Sequence, residues 1–175
     1  MTRIRRPLLF VATLAFAAGC VGSSDSDNSG GGDGAASRRP RGLTSGELSV
    51  LGLGARASEQ SVLDALGRPE SGTAATYDAS MGDSVATWTY DGILVKIAGH
   101  EVVNIHCSAT KCATADGVQV GDSRSKVIRT YGPPRSVETT DTEVLRYWGR
   151  VAECSLSFTV REESVTAIDL ACDGS

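Results

Sequence analysis

His106 and Cys107 stand side by side, with His100 shortly before them and Cys112 shortly after, a grouping of residue types that hold zinc. The grouping fails on geometry and compartment. Neighbours on a strand face opposite sides, so His106 and Cys107 do not simply share one ion, and the spacing matches no familiar zinc template. Either histidine is available in principle to a Ser-His-Asp arrangement, but no Gly-x-Ser-x-Gly elbow exists to present the nucleophile. Gly52-Leu-Gly-Ala-Arg56 has the glycines of a phosphate loop and lacks its Gly-Lys-Ser/Thr ending. The chain is therefore read as non-enzymatic, with no catalytic, cofactor-binding or metal-binding residues.

A fifth cysteine has a different setting. Residues 1–19 carry a basic start (Arg3, Arg5, Arg6) and an apolar run from Leu8 to Ala18, then end in Ala17-Ala18-Gly19 ahead of Cys20. The run is short for a membrane helix, which needs roughly 20 apolar residues. It resembles a bacterial lipoprotein signal, in which the leader is cut before the cysteine and Cys20 takes the lipid; the alternative is an ordinary secretory peptide with Cys20 a bystander. Residues 20–43 then read as a Gly/Ser-rich disordered tether, too poor in apolar side chains to offset the entropy of ordering, with a reach of about 25 Å. In lipoproteins of this kind an Asp directly after the lipidated cysteine retains the protein at the inner membrane. Val21 in that place implies the outer membrane.

Export makes disulfides the expected state of Cys107, Cys112, Cys154 and Cys172. Three connectivities are open to them. Cys107–Cys112 with Cys154–Cys172 is favoured because each pair falls within one structural neighbourhood. Loss of the leader removes three arginines and no acids from 17 basic and 21 acidic residues, taking the net charge from −4 to −7. Nucleic acid is excluded as a partner, since Arg38, Arg39 and Arg41 are the sole basic cluster.

The elements that position these residues come from a duplication. Gly52–Ser71 and Gly117–Ser136 match at a constant offset of 65, pairing Gly52 with Gly117, Ser58 with Ser123, Val62 with Val127, Gly67 with Gly132, Pro69 with Pro134 and Ser71 with Ser136. Each copy opens with a short helix: Ser58 or Ser123 (or Asp122) as cap, Val62, Leu63 and Leu66 or Val127, Ile128 and Tyr131 as the buried face, and glycine then proline as the stop. Three β-branched or aromatic runs follow in each: Val85–Tyr90, Ile93–Ile97 and Glu101–His106, then Glu143–Trp148, Cys154–Val160 and Ser164–Cys172. The offset becomes 59 at Trp88 against Tyr147 and returns to 65 at Cys107 against Cys172. The expected fold is α+β, a tandem repeat of a short helix plus a three-stranded antiparallel meander, residues 44–110 and 111–175, with the helices packed on one sheet face.

The capped helix, the Gly-x-Pro stop and the meander, behind a lipid-attachment signal and tether, resemble the small outer-membrane lipoproteins of the SmpA/OmlA (BamE) type. As a tandem with a disulfide in each half, they also resemble the β-lactamase inhibitory protein fold. The best match is Gly121-Asp122-Ser123, Val127 and Tyr131-Gly132-x-Pro134; the first copy departs from it around Gly54–Ser58. The resemblance implies a non-catalytic protein-binding module, lipid-anchored in the cell envelope, as an assembly or scaffold component. The alternative is a proteinaceous inhibitor of a secreted hydrolase such as a β-lactamase. The partner is then expected on the open sheet face, with Trp88, Tyr90, Tyr147 and Trp148 as candidate anchors and the membrane reached through the lipid on Cys20.

Overall fold

The computed structural model describes residues 40–150 and 153–172. The expected leader, the lipid-bearing Cys20 and most of the expected tether lie outside them. In chain order the elements are β1 (Ser49–Val50), β2 (Leu53–Gly54), α1 (Glu59–Leu66), β3 (Ser71–Gly72), β4 (Thr76–Asp78), β5 (Asp83–Tyr90), β6 (Ile93–Ala98), β7 (Glu101–Cys107), α2 (Arg124–Tyr131), β8 (Ser136–Thr139), β9 (Glu143–Trp148), β10 (Cys154–Arg161) and β11 (Ser164–Cys172).

Both helices begin and end by the same devices. The Ser61 N–H donates to Ser58 Oγ and the Lys126 N–H to Ser123 Oγ, satisfying one orphan donor in each first turn. Gly67 and Gly132 terminate the helices at φ of 76° and 82°, where a side chain would be strained. A tyrosine then ties each helix end to the sheet. Tyr90 donates its hydroxyl to the Gly67 carbonyl at 3.2 Å, and Tyr147 donates to the Gly132 carbonyl at 3.1 Å.

The expected α+β tandem is corrected by the sheet. Among the described residues, two helices of eight residues each stand against eleven strands, so the fold is mainly β. The strands of the two copies do not form two meanders; they join one nine-stranded antiparallel sheet in the order β3-β5-β6-β7-β11-β10-β9-β8, with β4 also on β5. The seam is β7 against β11, which registers Ile105 with Leu170 and His106 with Asp169. The physical reason is the edge. Separate meanders would each leave a strand with unpaired N–H and C=O groups, and antiparallel pairing of the two satisfies both.

Paired landmarks also correct the alignment of the strands. The turn bridges Ser58 to Glu101 in one copy and Ser123 to Ser164 in the other, and the β-bulges fall at Lys96/Ile97 and Thr159/Val160. Tyr90 and Tyr147 share the helix-end bond, so Tyr147 corresponds to Tyr90 rather than to Trp88, and Cys107 corresponds to Leu170 rather than to Cys172. By the same shift His106 corresponds to Asp169. These two residues also pair with each other, so an approximate two-fold axis through the sheet passes between them.

One face of the sheet carries the core. Val62, Val127 and Tyr131 from the helices, Leu43, Leu48, Val50 and Leu53 from the entry segment, and Val118 from the linker pack with Val95, Ile105, Leu145, Leu156, Phe158 and Ile168. Tyr131, Tyr147 and Phe158 form a ring cluster with centroids 5.4 to 5.9 Å apart. Two disulfides close the ends of strands: Cys107–Cys112 holds the linker to β7, and Cys154–Cys172 joins the directly paired ends of β10 and β11.

Candidate interaction surface

Residues paired across antiparallel strands point to the same side, so the register assigns every strand residue to a face. Opposite the core, Arg146, Ser157, Asp169, His106, Leu94 and Thr89 form one cross-strand row, closed at its ends by Ser136 and Ser71. A neighbouring row runs Trp148, Ser155, Ala171, Asn104, Lys96 and Thr87. Neither helix places its buried residues on this side.

At the centre, His106 Nδ1 and Asp169 Oδ1 lie 2.7 Å apart, both side chains partly exposed. Asn104 beside them donates to the Leu170 carbonyl. On β9, Trp148 and Arg146 project from the same face two residues apart. Arg146 Nη1 is 3.2 Å from Glu138 Oε1, while its Nε is enclosed and has no hydrogen-bond partner. The strand between, β10, carries Ser155, Ser157 and Thr159 on this face, with Arg161 at its far end. Between the larger side chains of β9 and the Asp169–His106 pair, this stretch of the face consists of small polar residues.

The candidate anchors separate accordingly. Tyr147 is 1% exposed and Tyr90 6% exposed, and burial raises the pKa of both hydroxyls above the ordinary phenol value. Each is a core residue pinning a helix end, so neither meets a partner. Trp88 pairs with Val95 on the core side and packs against the core at the β5 edge. Trp148 alone of the four lies on the open face. Cys107 and Cys112 are bonded to each other, His106 points to the opposite face from Cys107, and His100 sits in a hairpin turn 3.4 Å from Glu59. Among the described residues no cluster of three or more His, Cys, Asp or Glu side chains is arranged to hold a metal.

No protein-family model matches this chain. No curated protein matches it either. Solved structures give partial likenesses. An extracellular Bacillus anthracis protein containing an SCP domain aligns at 11% identity and TM-score 0.43, over 69% of this chain and 44% of its own. A DUF4309 family protein of Bacillus subtilis aligns at 16% and 0.39, over 66% and 78%. A cysteine-rich secretory protein of Staphylococcus aureus aligns at 8% and 0.44, over 67% and 43%. The chain thus spans less than half the length of two of these proteins. At such values the likeness carries no argument about activity or partners.

Reading the sequence alone missed Arg146, Asp169 and the serines of β10. A signal for the serines was present: Ser155, Ser157 and Thr159 alternate with Leu156, Phe158 and Val160, the period-2 pattern of a strand with one face in the core. Arg146 and Asp169 carry no such signal, since only the strand register brings them together.

Proposed function

We propose that this chain is a non-catalytic protein-binding module of the bacterial cell envelope, related to the SmpA/OmlA type, which docks its partner on the open face of the sheet. In this reading residues 1–19 are a lipoprotein signal, the lipid on Cys20 anchors the chain to the outer membrane, and the tether lets the folded part stand off the headgroups. The observation that carries the proposal is the sheet face that neither helix covers among the described residues, where a tryptophan and an arginine stand together beside small residues. Trp and Arg are the side chains most enriched at binding hot spots. In this reading the membrane contact is made through the lipid on Cys20.

The test is capture from envelope extract with the full-length chain, its Trp148→Ala variant, and Trp88→Ala as a core-side control. Trp148→Ala is expected to weaken capture of a specific partner tenfold or more, since loss of a hot-spot side chain costs about 2 kcal/mol or more. Capture of nothing, or equal capture by Trp148→Ala, would count against the proposal. Adding the purified chain to a panel of secreted hydrolases separates the inhibitor reading, which requires loss of enzyme activity at stoichiometric protein.

A further inference from the structure

We propose that the helix-bearing side of the sheet is an interface between two copies of this chain, with α1 of each copy set against α2 of the other. The observation that carries it is a charge inversion between the repeats. Residues 59–70 hold three acids and one arginine, whereas the equivalent residues 124–135 hold four cations and no acid. At the repeat offset every acid of the first stretch meets an arginine of the second: Glu59 with Arg124, Asp64 with Arg129 and Glu70 with Arg135. Hydrogen bonds uphold this equivalence at both ends. Ser58 and Ser123 cap the helices alike, and the Glu70 and Arg135 N–H groups donate to the Thr89 and Arg146 carbonyls, themselves equivalent, each at 2.9 Å.

Part of this charge is spent within the chain. Arg124 forks onto Glu143, Lys126 pairs with Asp122, and Glu59 lies 3.4 Å from His100. Asp64, Glu70, Arg129 and Arg135 are left over. All four are exposed, Asp64 accepts from the neutral Gln60, and none of the four makes an ion pair among the described residues. Both helices lie on the core side of the sheet and are related by its approximate two-fold axis. Two copies brought together on this side, about a second two-fold axis at right angles to the first, have two arrangements. One sets each helix against its own counterpart, acid on acid and arginine on arginine; the other sets α1 against α2 twice over. Like charges disfavour the first, and opposite charges select the second. Because both copies use the same surface, the assembly closes at a dimer. The partly exposed Leu66 and Ile128 add apolar area to the contact. The open face stays free on each copy, so self-association and partner docking stand or fall separately.

The experiment is sedimentation equilibrium of the full-length chain in a neutral detergent, across protein concentration and salt. A monomer–dimer equilibrium that shifts to monomer in molar salt is expected. Asp64→Arg with Glu70→Arg makes both helices basic, and Arg129→Asp with Arg135→Glu makes both acidic. Each double variant is expected to weaken the dimer about tenfold or more, with circular dichroism confirming that it stays folded. An equimolar mixture of the two restores opposite charges at both contacts and should dimerise as the parent chain does, a rescue that a folding defect does not allow. A monomer at every concentration up to about 1 mM overturns the proposal. So does a dimer indifferent to both variants, which would form elsewhere on the chain, and so does a mixture that stays monomeric. Species that keep growing beyond the dimer overturn the closed arrangement.

Discussion

Glu162 and Glu163 both hold φ above zero, at 48° and 64°, in the two-residue turn between β10 and β11. The corresponding turn between β6 and β7 uses Gly99 and His100 at 55° and 69°, so both hairpins adopt the primed geometry that matches strand twist. A β-carbon makes that region unfavourable, and two adjacent glutamates add like-charge repulsion. Replacing Glu162-Glu163 by Asn-Gly is expected to stabilise the chain by about 1–2 kcal/mol, read as a higher denaturant midpoint at unchanged slope. An unchanged midpoint would mean that the turn is not under strain.

At the scale of elements, the helices and the long strands were legible and the short strands were not. Ser58 and Ser123, the glycine stops and the spaced valines are local signals, and each performs locally: cap, terminator, core. The strands β3, β4 and β8 come from segments such as Thr76-Tyr77-Asp78, which are largely exposed and lack apolar alternation; they form because β5 and β9 offer free edges. The β7–β11 seam was also invisible, since pairing between distant strands leaves no local trace, and with it the open-face row joining Asp169 to His106. The disulfides act on different elements. Removing Cys154–Cys172 by a double Cys→Ser change is expected to cost about 3 kcal/mol, and removing Cys107–Cys112 about 2 kcal/mol, because the first closes 18 residues and the second 5. Chemical denaturation of the two variants measures the order, and a larger loss from the shorter loop would contradict the loop-entropy account.

For the whole molecule, the described residues fall in one compact unit, and the core cluster runs without a break across the seam. The two copies should therefore unfold together despite their separate origin in sequence. Trp88 lies in the first copy's β5 and Trp148 in the second's β9, so Trp148→Phe and Trp88→Phe leave one reporter in each half. Corrected for each variant's stability, both fluorophores are expected to give the midpoint measured by circular dichroism for the same variant. Fluorescence and circular dichroism midpoints that part within one variant would show two units melting independently.

The chain enters the described fold at a particular place. Leu43 donates its N–H to the Trp148 carbonyl and accepts from the Arg150 N–H, both at 2.8 Å, as a short parallel bridge beside the end of β9. Tension applied from the N-terminal side is thus borne by the Arg41–Glu47 ion pair, the Arg150 bond to the Gly42 carbonyl and these two backbone hydrogen bonds flanking Gly149. Through them, a pull on the leading segment is delivered at once to the core, through Leu43, and to the strand end that carries Trp148.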